Sequence, residues 1–186
     1  MKKILLALAV LLTVQLADAQ VKSPEAAKKA IDAAQAAADN AKKATKVATW
    51  LKLATAYTDA YNAPKGSAWL GASKQELQLI MANEKVVSKS NVKLGGEPCV
   101  KEVYKNKDLY FNQQGQLVMY VITKPIVKNG LEGARDAYAK AYEVDLKKSK
   151  LKDITAGLET IVKKYLDEGM NMYMLDKFAE ASVLFE

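Results

Sequence analysis

The chain has 186 residues, a formal net charge of +7 at pH 7, no histidine and a single cysteine. Without histidine, the commonest general base, the Ser–His and Cys–His nucleophile pairs and imidazole metal ligation are all excluded. One cysteine forbids an internal disulfide, and the length suits one domain with a sizeable core.

Residues 1–19 read as a secretory signal peptide. Lys2 and Lys3 give a positive start, Ile4 to Val14 an apolar run, and Ala17-Asp18-Ala19 a small-x-small cleavage site. The run is too short and too early for a spanning helix; the rival reading is a buried N-terminal helix. Cleavage after Ala19 leaves 20–186 as an exported chain, periplasmic or extracellular, with no stable membrane insertion. Cys99 lies far from the cleavage site, so no lipid-attachment cysteine is read. Export argues against a nucleic-acid partner. The lysines at 42, 43 and 46 and at 147, 148, 150 and 152 read as solvated surface.

Ser23-Pro24-Glu25 opens a helix with a cap, a proline at its first position and an acid in its first turn. It runs to Ala38 and is alanine-rich, which favours close packing on a second helix; Asp39-Asn40 breaks it. That second helix spans Lys42 to Tyr61, giving a helical hairpin over 23–61. Residues 62–130 then read as an α/β insertion. Asn62-Ala63-Pro64-Lys65-Gly66 is a loop, and the Ser73-x-x-Glu76 capping box opens a short helix to Ala82. From Lys85 the apolar period becomes two. Val86–Leu94, Val100–Tyr104, Asp108–Asn112 and Gln116–Thr123 read as three or four antiparallel strands within 85–123, with turn signals at Gly95-Gly96 and Gln113-Gln114-Gly115. Pro125 ends them. A helix from Leu131 to Asp145, a charged linker Lys147–Lys152, a long helix to Met174 and a short one from Phe178 to Phe185 complete the chain. Gly169 sits inside a helix, where glycine costs about 1 kcal/mol against alanine, so it needs a packing reason.

Three stretches share a pattern. Trp50, Leu53, Ala54 and Tyr57 follow the spacing W-x2-L-A-x2-Y; Ala134, Tyr138 and Ala141 mark a later helix; Tyr165, Gly169, Phe178, Ala181 and Phe185 span the end of the chain. Together they resemble the tetratricopeptide (TPR) repeat, W-x2-L-G-x2-Y followed by A-x3-F in the second helix, as found in exported proteins of Gram-negative bacteria. Alanine replaces the glycine at 54, Glu168 stands where leucine is usual and Met172 where tyrosine is usual. The distance from Trp50 to Ala134 exceeds that from Tyr165 to Ala181 by about the length of the β-rich segment, so that segment reads as an insertion between the two helices of the first repeat.

The resemblance implies a mainly α fold of TPR-like antiparallel helix pairs, the start of an α-solenoid, with a small antiparallel β-sheet or hairpin inserted. It implies a non-catalytic scaffold that binds a partner protein or peptide, without cofactor or metal. By pattern position Leu166, Met170 and Tyr173 line the binding surface; the rival is that they pack on a neighbouring helix. It also implies further repeats beyond Glu186, so the chain reads as the N-terminal part of a longer protein.

The remaining chemistry is sparse. Asp153 and Glu159, or Asp167 and Glu168, read as solvated helix carboxylates rather than an acid–base pair. Gly95-Gly96 lacks the spacing and lysine of a phosphate loop, and Asp108 to Asn112 lacks the alternating oxygens of a calcium loop. Tyr104, Tyr110, Phe111 and Tyr120 read as ordinary strand aromatics. If the outward ones formed a platform, the protein would instead be a ligand- or glycan-binding module using the β insertion.

Overall fold

A computed structural model describes residues 22–185; the expected signal peptide lies outside them. Among these residues, seven α-helices and a four-stranded antiparallel sheet give a mixed α/β fold in which helices dominate, with a helical content of 56%. Among the described residues no helix is long and apolar enough to cross a membrane.

Helix α1 (Pro24–Ala38) starts where Ser23 accepts a hydrogen bond from the Ala26 N–H at 3.2 Å. The expected helix over Lys42–Tyr61 is in fact two, α2 (Ala41–Ala44) and α3 (Val47–Asn62). The cause is Trp50, whose indole N–H donates to the Ala44 carbonyl at 2.7 Å. In an unbroken helix that acceptor would serve Ala48; instead Lys46 is extended and α3 begins after it.

Side-chain neighbours give the helix directions. Ala27 and Ile31 of α1 meet Ala56, Ala60 and Ala63, while Ala38 meets Leu53 and Ala54, so α1 and α3 are antiparallel. The chain leaves this pair through a 3-10 turn (Ala63–Lys65) and α4 (Lys74–Ile80), whose capping box is present as expected. It then forms a meander of β1 (Ser88–Leu94), β2 (Glu97–Val103), β3 (Lys107–Phe111) and β4 (Leu117–Ile122). Gly95 and Gly96 both have positive φ, 55° and 87°, the two-residue hairpin geometry that glycine adopts without penalty. Strand β2 therefore starts at Glu97, three residues before the expected Val100. Pro98 is tolerated because it pairs with Lys93, one step from the tight turn, where its nitrogen faces away from β1; β3 pairs only from Val100 onward.

Helix α5 (Gly130–Val144) returns to α3 and makes the most extensive helix contact in the fold. Gly130 meets Tyr61, Gly133 meets Tyr57, and Ala137 meets Leu53 and Ala54, so this pair is also antiparallel. Helix α6 (Leu151–Met174) packs on α5, with Ile161 against Leu131 and Ala134, and α7 (Phe178–Phe185) folds back on α6. The charged linker is shorter than expected, since α6 begins at Leu151. Asp145 fixes that start: its carboxylate accepts from Ser149 N at 3.1 Å and from Lys150 N at 2.7 Å.

Two glycines lie against aromatic rings of neighbouring helices. A Cβ on Gly169 would stand 2.5 Å from the Phe185 ring, and one on Gly157 would stand 2.1 Å from the Tyr138 ring. Both lie well inside carbon–carbon contact distance, which supplies the packing reason Gly169 required.

The sheet is buried on both faces at β3. One face packs Leu109, Phe111 and Leu117 against Ala68, Ala72, Leu77 and Met81. The other carries Leu94, Cys99, Tyr110 and Met119 beneath Met174 and Leu175 at the end of α6. Lys107 of β3 is only 1% exposed. Its ammonium is fully used, donating to Glu84 at 2.9 Å, Lys65 O at 3.0 Å and Pro64 O at 3.2 Å, so a buried charge ties the strand to the loop that leads into the insertion.

Candidate functional site

The site arises where the sheet docks on α6. Two polar contacts hold them: the Gly95 N–H donates to the Met174 carbonyl at 3.1 Å, and the Asn171 amide donates to the Tyr120 carbonyl at 3.2 Å. Each uses a backbone group near the end of a helix or on an edge strand, where no ladder partner is available. Beside these contacts the helix and the sheet diverge and leave a groove of about 580 Å³. Its apolar lining includes Leu94, Met119, Tyr120, Met170 and Met174. Three of these are methionines, whose unbranched, polarizable side chains adapt to varied apolar partners.

Leu166, Met170 and Tyr173 share one face of α6 and are 46%, 51% and 53% exposed. Val162, also exposed, extends that face by one turn. Of the three, Met170 lines the groove; Leu166 and Tyr173 continue the apolar stripe outside it. Tyr173 meets Phe178 edge-on with ring centroids 5.4 Å apart.

The pattern positions divide. Leu53, Ala54, Ala134, Ala141, Gly169 and Ala181 are buried, and Trp50, Tyr57, Tyr138 and Tyr165 are half-buried. Phe178 and Phe185 touch Tyr173 and Gly169, yet they stay 56% and 46% exposed. The apolar surface of α6 therefore continues onto α7.

Glu168 is not a solvated carboxylate. It is half-buried and faces the Tyr61 hydroxyl at the junction of α3, α6 and the sheet. Burial raises its carboxyl above the usual range, with the Tyr61 hydrogen bond opposing. Burial likewise raises the Tyr61 phenol, helped by Glu168. Lys164 donates to the Asn62 side chain at 2.8 Å and lies 5.0 Å from the Tyr61 ring centroid; burial lowers its ammonium. Glu168 had only one signal in the sequence, that it stands where the pattern the chain resembles has leucine.

The other carboxylates named from sequence do not assemble. Asp153, Glu159 and Asp167 are exposed, and Asp108 pairs with Lys101 at 2.7 Å. Among the described residues no three metal-ligating side chains converge. Cys99 lies buried in the groove wall, where burial, then Glu97, pushes its thiol up, away from the reactive thiolate. Of the strand aromatics, Tyr110 and Phe111 are buried, and Tyr104 and Tyr120 pack against the α4 side of the sheet. Of the four, Tyr120 alone is in the groove's lining, on the edge strand where its carbonyl accepts from Asn171.

No protein-family model, no curated protein and no solved structure matches this chain.

Proposed function

We propose that this protein is a non-catalytic binding scaffold of the bacterial cell envelope, built from TPR-like helix pairs with a β insertion. It holds an apolar segment of a partner protein in the groove between α6 and the sheet. The observation that supports this reading is the half-exposed Met170, which lines an open apolar groove together with Met119 and Met174 and is continuous with the exposed stripe of α6. Contiguous exposed apolar surface of this kind marks interaction sites. The repeat resemblance points to the same helix. The one aromatic in its lining, Tyr120, packs on the α4 side of the sheet, so the groove holds no platform of rings and suits an apolar peptide segment better than a sugar.

The test is capture of the tagged full-length protein after crosslinking in intact cells. A reproducible protein partner is expected, lost when Met170 and Tyr173 are both changed to aspartate. Turnover of a substrate by the purified protein alone, or a partner indifferent to both changes, overturns the reading.

A further inference from the structure

The charge of the groove is opposite to that of the molecule around it. The chain carries 28 lysines and arginines against 21 acids, yet among the described residues no lysine or arginine lines this groove. Its charged lining is Glu97, from the start of β2, and Asp167, from α6. The two carboxylates thus come from the two walls. Both are exposed, and neither is ion-paired among the described residues. On the same face of the sheet Lys101 is already committed to Asp108 at 2.7 Å. The groove between α1 and α3 shows the contrast, with four lysines and no acid in its lining.

The rest of the polar lining is neutral amide, from Asn112, Gln113 and Gln114 of the β3–β4 turn and Asn171 of α6. Such groups hydrogen-bond a peptide backbone without selecting charge. The two unpaired carboxylates do select. A segment with acidic flanks meets like charge on both walls, whereas one with a cationic flank finds a partner on either.

Resting on the groove reading above, we propose that the segment bound there is apolar in its middle and carries a lysine or arginine at one or both ends. The apolar part lies over Met119, Met170 and Met174, and the cation meets Asp167 or Glu97. Exposed ion pairs are weak and salt-sensitive, so the carboxylates act as a filter on partners, while the methionines supply most of the affinity.

The full chain, immobilised, is panned against a random-peptide display library, with a Met170→Asp protein as counter-selection. Enriched peptides are expected to join an apolar stretch to a terminal lysine or arginine. A synthetic peptide from that pool is expected to bind the Glu97→Gln/Asp167→Asn protein roughly two- to fivefold more weakly per carboxylate removed, with the difference shrinking as salt rises. Both changed positions are exposed, and circular dichroism checks that each variant is folded. If the enriched peptides are apolar without a cation, or bind the double variant as tightly as the parent, the charge filter falls while the groove stands. If no Met170-dependent peptide is enriched, the groove itself falls and the filter with it.

Discussion

At Gly157 a single hydrogen in place of a methyl group decides how close α5 and α6 come. A Cβ there would lie 2.1 Å from the Tyr138 ring. Gly157→Ala gains about 1 kcal/mol of helix propensity, but overpacking a fitted contact costs about 1–3 kcal/mol. At this separation the overlap wins, so Gly157→Ala is expected to lower the thermal midpoint by several degrees. Removing the ring removes the conflict. Tyr138→Leu combined with Gly157→Ala is expected to be more stable than the two separate losses would give, and a thermal double-mutant cycle reads that coupling. Purely additive losses would mean that the ring is not what requires the glycine.

Glu168 gives a residue-scale effect of the opposite kind. Its carboxyl is raised in the folded chain, chiefly by burial, so the folded state binds that proton more readily than the unfolded state. The contribution to stability is present below the ordinary carboxylate value of the unfolded chain. It is lost as pH rises through the raised value in the fold. Glu168→Gln keeps an acceptor for Tyr61 and removes the charge. It is expected to raise the thermal midpoint at neutral pH, with the gain vanishing in acid. A gain that is the same at every pH would show that the charge is not the source.

Among elements, the joint between α5 and α6 depends on one side chain. Burial acts to raise the Asp145 carboxyl, but hydrogen bonds from Lys150 and Ser149 outweigh it and hold it below the usual range. Its contribution is therefore present above the unfolded value and lost as pH falls through the lowered value in the fold, the reverse of Glu168. Asp145→Ala is expected to lower the midpoint by a few degrees at neutral pH. Amide exchange should quicken first at Leu151 and its neighbours, and the gap from the parent should close in acid. Other boundaries were legible because their signals are local: Ser23-Pro24, Ser73 with Glu76, and Gly95-Gly96 each act within a few residues. The break before α3 was hidden because Trp50, six residues downstream of Ala44, makes it. The groove was hidden for a stronger version of the same reason. It forms only because Asn171 reaches Tyr120 and Gly95 reaches Met174, contacts that no periodicity in one stretch can show. Met170 was legible as an exposed apolar position on α6, but the wall opposite it was not.

At the scale of the whole molecule, the helices and the insertion are joined at few places among the described residues. The clusters that bind α1, α3, α5 and α6 contain no strand residue. The sheet meets these helices chiefly through Met174, Leu175 and Asn171 at the end of α6, and through Lys107 and Asn106 at the loop after α3. The two ends of the insertion are close, because Asn106 donates to the Pro64 carbonyl and accepts from the Lys124 N–H. A short glycine–serine linker in place of residues 67–124 therefore spans a small gap and leaves the α3–α5 pair its own contacts. The shortened chain is expected to keep its helical circular dichroism and a cooperative, though lower, thermal transition, since Met174 and Leu175 lose their cover. It is also expected to lose any partner held in the groove, because one wall has gone. A non-cooperative melt would show instead that the sheet is part of what folds the helices. Retained partner binding would move the site off the sheet and onto the bare stripe of Val162, Leu166, Met170 and Tyr173, where helices alone would read the partner.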